Sequence, residues 1–304
     1  MHCTVVGSLN MDLVAKCPRL PKGGETLSGS EFLTTPGGKG ANQSVAVARL
    51  GVECSMVGRV GADSFGQELV RNLTDRGVDT SMVWVDQRVS TGVAMILVDE
   101  KGENSIVVIK GANGTLTPSD IEGLRDVFGS SSYVLTQLET PVEATMAVAR
   151  LCSELGRPLI LDPAPAPSAP LPADLLSMVS VLTPNQTEAQ VLTGLRVETE
   201  EDARKAGRLL CSKGVKNAVV KLGEAGAVLV NGESEYYCPG IKVDVVDTTA
   251  AGDCFAGALA VGLTEGLGWE KAISFANTAA ALSVTRMGAQ ASIPDRSEVD
   301  RHLL

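Results

Sequence analysis

Histidine is nearly absent from this chain. His2 and His302 sit close to its two ends, so neither a Ser-His-Asp triad nor a histidine-rich metal centre is expected. Aromatic residues make up only 3%, too few for the stacking platforms that hold single-stranded nucleic acid. The seven cysteines are an odd, scattered set without a Cys-x-x-Cys pair. That pattern argues against a disulfide framework or a zinc site and fits reduced thiols in the cytoplasm. No apolar run approaches the roughly 18 residues of a membrane span, and no basic-then-apolar leader precedes the strand-like run Cys3–Val6. Positive charge is in deficit, with 26 Lys and Arg against 36 Asp and Glu and a net charge of −10. Such a surface repels nucleic acid and anionic membranes. Any phosphate site must then be built locally, from backbone N–H groups, lysine or metal. Two familiar nucleotide signatures are missing: there is no GxxxxGK[ST], and no GxGxxG behind the first strand.

What is present is core material. Hydrophobic residues reach 44% of 304 positions, enough for a single large α/β domain. Strand-like runs at Cys3–Ser8, Cys54–Val60, Tyr133–Leu138, Arg157–Asp162, Val179–Leu182 and Ala218–Leu222 alternate with helical patterns. These include Gly40–Leu50, Ser64–Arg76, and helices from about Ala251 and Trp269. Thr117-Pro118-Ser119-Asp120 predicts a helix start with proline at its first position, and Thr140-Pro141-Val142-Glu143 predicts a capping box. Alternation of this kind implies a mainly parallel sheet covered on both faces. Two β-rich pieces, near 11–36 and 87–110, break the rhythm and are expected to pair as a small separate lid sheet. The second of them contains a hairpin, Thr91–Val98 with Asn104–Ile109.

The segment richest in chemistry is Asp247-Thr-Thr-Ala-Ala-Gly-Asp253, which runs straight into an apolar helix. Ala250, Ala251 and Gly252 can aim bare amides at an anion, helped by the helix dipole. Asp253 adds a carboxylate in the same turn, a candidate base. Close helix packing alone could account for the small residues. A second glycine-rich element, Pro36-Gly37-Gly38-Lys39-Gly40-Ala41-Asn42-Gln43, could cradle a polyhydroxyl ligand or simply cap a helix. Asn10, Asp12 and Glu139 lie just past strands, where ligands bind in open α/β sheets, although Asn and Asp are also common turn formers. Asn185 and Glu188 have helix-cap spacing, with phosphate and hydrated Mg²⁺ contacts as the functional alternative. Lys221-Leu222-Gly223-Glu224-Ala225-Gly226 reads as a hairpin turn or as a nucleotide loop.

Taken in order, these segments resemble the ribokinase-like carbohydrate kinases of the PfkB family over essentially the whole chain. The resemblance implies a three-layer α/β/α sandwich with a mainly parallel central sheet and a β lid. It also implies ATP-dependent phosphorylation of D-ribose at the 5-hydroxyl; related sugar kinases acting on 2-deoxyribose, fructose or a nucleoside, or a sugar-binding regulator, are the alternatives. On this resemblance Asp253 is the base, and Ala250, Ala251 and Gly252 form the anion hole. Asn10, Met11 through its backbone, Asp12, Gly38, Lys39, Gly40, Ala41, Asn42 and Glu139 meet the sugar. Asn185, Lys221, Leu222, Gly223, Glu224, Ala225, Gly226, Gly252 and Asn277 meet the nucleotide. Glu188 acts on Mg²⁺ through water. Asp247, Thr249, Ser283, Arg286, Gly288 and Ser292 hold a K⁺-like cation, several through carbonyls. A homodimer through the lid is implied as well. Cys254 and Lys221 depart from the family pattern, where hydroxyl or other small residues are usual.

Overall fold

The first strand is closed off on both faces because helices cover both sides of its sheet. In the computed structural model, which describes residues 1–303, β1 (His2–Val6) sends Cys3 and Val5 into one core and Val6 into another on the opposite side. Two short strands follow, β2 (Asn10–Lys16) and β3 (Glu31–Gly37), then helix α1 (Lys39–Arg49). Next come β4 (Glu53–Gly61), α2 (Ser64–Asp75), β5 (Val78–Asp86), β6 (Gly92–Val98) and β7 (Asn104–Ile109). Helices α3 (Pro118–Glu122) and α4 (Arg125–Ser130) lead to β8 (Tyr133–Thr136), α5 (Val142–Glu154), β9 (Leu159–Leu161), α6 (Ala173–Met178) and β10 (Val181–Leu182). The chain continues through α7 (Gln186–Thr193), α8 (Glu200–Ser212), β11 (Asn217–Lys221), β12 (Gly226–Asn231) and β13 (Glu235–Pro239). It closes with α9 (Ala251–Thr264), α10 (Trp269–Ser283) and α11 (Arg296–Leu303).

Nine of these strands form one sheet in the order β13-β12-β11-β10-β9-β8-β1-β4-β5. It is parallel from β5 to β11, and β12 and β13 are antiparallel additions. One face is covered by α1, α2, α9, α10 and α11, the other by α3 to α8. The chain leaves β1 toward β4 and later returns on β1's other side at β8. That reversal opens a crevice at the carboxyl ends of β1 and β8, where α/β folds bind ligands. A second sheet, β3-β2-β6-β7, stands apart. It contains the expected hairpin, with Val98 opposite Asn104 and Val93 opposite Ile109.

Local signals mostly act as read. Thr117 and Asp120 close a reciprocal cap around Pro118. The capping box predicted from Thr140 does not form. Pro141 takes the N-cap position instead, with ψ 138° and no side-chain cap. Thr140 stays outside the helix, one residue before the cap, although the same Thr-Pro pairing does open α3 at Thr117. The strand read as Arg157–Asp162 is shorter, Leu159–Leu161, which leaves Asp162 just beyond it at the crevice.

Candidate active site

The crevice floor is the N-terminus of α9. Ala250 caps it in left-handed backbone, φ 59° and ψ 11°. Among the described residues it is the one non-glycine with positive φ, a conformation that costs about 1–2 kcal/mol for an L-residue. The Ala251 amide turns back to the Thr248 carbonyl at 3.3 Å. Those of Gly252 and Asp253 lie in the first helical turn, where no intrahelical carbonyl is available. Asp253 is only 4% exposed. Its carboxylate accepts from Asn42 Nδ2 at 2.8 Å and from Gln43 Nε2 at 3.5 Å. Small residues make this contact possible: a Cβ on Gly257 would stand 2.6 Å from the Ala46 methyl and 2.9 Å from the Gln43 carbonyl. The close packing of the small-residue motif does not compete with the chemical reading, because packing α9 on α1 is what brings Asp253 to Asn42.

The start of α1 builds the other wall. Gly38 caps the helix at φ 92°, and a Cβ there would fall 2.7 Å from the Asn10 nitrogen. The close approach of Gly37 and Gly38 to β2 sets Asp12, Lys39 and Asn42 around one space. Glu139, from the loop after β8, accepts from the Lys39 amide at 3.2 Å and from the Ser8 hydroxyl. Asn10 Oδ1 accepts from Asn113 Nδ2 at 2.8 Å, which fixes its amide orientation. Ala41 donates its amide to Ser8 O at 3.0 Å, tying the Gly40–Ala41 turn to the end of β1. The Met11 side chain is fully buried, so only its backbone can meet a ligand. A cavity of about 790 Å³ opens beside Asn10, Lys110, Asn113 and Glu139 and runs along Pro165–Pro172.

The charges are unbalanced, with Asp12, Glu139, Asp162 and Asp253 set against the ammonium groups of Lys39 and Lys221. Burial pushes Asp253 up to about 6, with Lys39 and Asn42 opposing and Asp162 and Glu139 adding to the rise. Burial, followed by the charges of Glu139 and Asp253, lifts Asp12 to about 7. Asp253, against the opposing effect of burial, holds Lys39 well above the ordinary lysine range, and Glu139 and Asp162 reinforce it. A carboxylate ionised at neutral pH but close to its midpoint suits general-base work.

The nucleotide-side residues gather on the same edge. Asn185 and Glu188 form a full capping box: Asn185 donates its amide to Glu188 Oε2 at 2.8 Å, and Glu188 returns its own to Asn185 Oδ1 at 2.9 Å. Asn185 also bridges to Lys221. Lys221 to Gly226 is indeed a hairpin connection: the Leu222 amide donates to Gly226 O at 2.7 Å, around the short turn Gly223–Ala225. Asn277 is tied farther along, donating to the carbonyls of Cys238 and Pro239 at 3.3 Å each.

Of the cation candidates, the structure joins Asp247 to Thr249 and Gly288. Asp247 accepts from Thr249 Oγ1 at 2.6 Å and from the Gly288 amide at 2.8 Å. Burial works against its ionisation, yet those bonds hold its carboxyl below the ordinary range. The Ser283 and Ser292 hydroxyls donate to the local carbonyls of Ala280 and Ala289. The Arg286 guanidinium points away to Glu298, leaving only its backbone for such a site. Cys254 is fully buried behind Asp253, and burial lifts its thiol to about 12. It is a packing residue, not a nucleophile.

With this geometry in place, comparison with known proteins is decisive. Residues 1–296 match the model of the pfkB family carbohydrate kinases. The chain belongs to that family. It is 39% identical over 295 residues to the ribokinase of Haemophilus influenzae, covering 97% of this chain and 96% of that one. It is 36% identical over 303 residues to the deoxyribokinase of Salmonella typhi, covering 100% and 99%. The structure of Arabidopsis thaliana ribokinase complexed with ribose and ATP superposes with a TM-score of 0.92 at 38% identity, covering 99% and 98%. The three-layer fold with a mainly parallel sheet and a separate small sheet is the ribokinase-like architecture.

Several residues to which the sequence assigned no role stand in the crevice. Asp162, Asn113 and Gln137 all have side chains within the buried polar network around the crevice. Asp162 carried the same signal as Glu139, a carboxylate just past a buried strand.

Proposed function

We propose that this protein transfers the γ-phosphoryl group of ATP to the 5-hydroxyl of D-ribose, giving D-ribose 5-phosphate and ADP. The observation that carries the reading is a buried, near-neutral carboxylate, Asp253, set between a helix end with free amides and a cradle of Asn10, Asp12, Lys39, Asn42 and Glu139. Ribose seated in the cradle brings its 5-hydroxyl to Asp253. Asp253 takes the hydroxyl proton as the new O–P bond forms and the bond to the β-phosphate oxygen breaks. Amides of Ala250 and Gly252, with that of Ala251 once released from the Thr248 carbonyl, stabilise the charge on the transferring oxygens. The nucleotide lies along Asn185, Lys221–Gly226 and Asn277.

Two ions fit the residues present. Among the described residues no cluster of three His, Cys, Asp or Glu side chains could cage a metal. This suits Mg²⁺, which keeps waters and binds mainly through substrate phosphates; Glu188 supplies one outer contact. When bound, Mg²⁺ neutralises charge on the β- and γ-oxygens. The ionised Asp247 with Thr249, and carbonyls near Ser283, Arg286, Gly288 and Ser292, fit a K⁺-like ion. Its charge strengthens the field at the helix end without touching sugar.

The small sheet, rooted at Asn10 and Gly37, serves as a lid that excludes water from the phosphoryl group. Its β7 strand is exposed throughout, with Ile106 52% and Val107 62% accessible, and supports a homodimer through the lid. Seven free thiols support a reducing compartment, the cytoplasm.

A coupled assay of ADP release with Mg²⁺, with and without K⁺, tests the reading across ribose, 2-deoxyribose, fructose and a nucleoside. Ribose-dependent ADP, raised by K⁺, is expected. Faster turnover with 2-deoxyribose would assign the sugar differently, and no sugar-dependent ADP would refute the kinase activity.

A further inference from the structure

Asp162 has no part in the mechanism above, yet it is the best-connected buried charge in the crevice. It is 2% exposed and stands just past β9. Its Oδ1 accepts from Lys221 Nζ at 3.0 Å and from Thr183 Oγ1 at 3.4 Å. Its Oδ2 accepts from Gln43 Nε2 at 3.1 Å. The Gln43 amide nitrogen also lies 3.5 Å from Asp253 Oδ1, and Gln43 Oε1 accepts from Gln137 Nε2 at 2.7 Å. One carboxylate thus touches both a group beside the base and the cation on the phosphate side.

The position of that cation is specific. Lys221 ends β11, and its backbone is pinned by a 2.8 Å bond to the Pro184 carbonyl. From there its side chain reaches across to Asp162 and is only 12% exposed. A Cβ built on Gly252 would lie 3.4 Å from its Nζ. An anion seated on the first-turn amides of α9 therefore lies beside a held ammonium. A buried ion pair is a poor source of stability, because desolvation offsets much of the attraction. Its placement is better explained by preorganisation of charge for a developing anion.

We propose that Asp162 is a positioning residue for phosphoryl transfer, holding the Lys221 ammonium at the amide end of α9 and the Gln43 amide beside Asp253. Lys221 itself then touches the transferring phosphoryl group or its bridging oxygen. The inference rests on Asp253 being the base, and it adds a second, charged arm to an anion hole otherwise made of backbone.

The test uses Asp162→Asn, Lys221→Met and the double variant, with kcat, KM for ATP, ribose Kd by calorimetry, and the pH profile of kcat/KM. Lys221→Met is expected to lower kcat roughly 10- to 100-fold and raise KM for ATP, with ribose Kd unchanged. Asp162→Asn is expected to lower kcat roughly 10-fold. It should also move the acidic limb of the profile to lower pH. Asp253 would lose one negative neighbour while keeping Lys39, Glu139, Asp12 and the Asn42 and Gln43 amides around it. A merely structural pair would alter melting and leave that limb in place. The double variant should lose less than the product of the single losses, since part of the Asp162 effect runs through Lys221. Multiplying losses, or an Asp162→Asn enzyme within twofold of wild type and with an unmoved limb, would overturn the proposal. If Asp162→Asn does not fold, Lys221→Met decides alone: unchanged kcat and KM for ATP overturn it. A wild-type enzyme with no ribose-dependent ADP would instead refute the base reading, and this inference with it.

Discussion

Replacing Asp253 by Asn should make the empty protein more stable at the same time as it removes catalysis. The carboxyl is buried and raised from its ordinary 3.8 to about 6. Holding it ionised at pH 8 therefore costs the folded state about 3 kcal/mol. The sign follows from the protons. Between pH 3.8 and 6 the folded protein binds more protons than the unfolded chain, so stability falls as pH rises through that window. The full penalty is present above it. About 2 kcal/mol of the penalty develops between pH 4.5 and 8. Asparagine carries no such charge, and its oxygen can still accept from Asn42. The attraction to Lys39 and the hydrogen bond from Asn42 oppose the rise and are already inside that figure. The expected melting temperature is about 5 °C above wild type at pH 8, with the difference shrinking to about 1–2 °C near pH 4.5. Scanning calorimetry of both proteins across that range, without ligands, reads the effect. Turnover should fall roughly 10²- to 10⁴-fold, with ribose still bound. Parallel melting curves, offset equally at every pH, would refute the claim that Asp253 is a strained, ionised base.

Two further outcomes follow from the same geometry. Ala250→Gly should raise unfolding free energy by about 1 kcal/mol in urea titration, because φ 59° carries no penalty for glycine; an unchanged midpoint would mean that this backbone is relaxed. Val107→Lys, on the exposed β7 face, should convert a dimer to monomers in sedimentation while leaving the melting of the main sheet unaltered. An unchanged sedimentation coefficient would place the subunit contact elsewhere.

The sequence was most informative where local chemistry and fold agree. The parallel sheet was legible from apolar runs at β1, β8 and β9, and the small sheet from its hairpin. Asp253 and the glycine turn at Gly37–Gly40 stood out because few structural roles demand that mixture of small and charged residues. The helix α5 start differs because Thr140-Pro141-Val142-Glu143 matches a capping box in spacing alone, whereas the equally spaced Thr117-Pro118-Ser119-Asp120 forms one. The roles of Asp162, Gln43 and Asn113 were hidden for another reason. Their partners lie 59, 119 and 103 positions away in Lys221, Asp162 and Asn10. No local pattern encodes a contact of that range, and only the register of β9, β10 and β11 brings Asp162 under Lys221.

The base and its Asn42 partner are 211 positions apart, whereas the last strand of the main sheet ends at Pro239. During synthesis every strand therefore emerges before α9 does. A chain cut or stalled before that helix has all the strands for its backbone ladder but leaves uncovered the part of one apolar face that α9, α10 and α11 protect, so it is prone to stick to other chains. It also lacks the carboxylate proposed to take the proton of the attacking sugar hydroxyl. Catalytic competence arrives with the final helical layer, and the same docking that hides the exposed face turns the chemistry on.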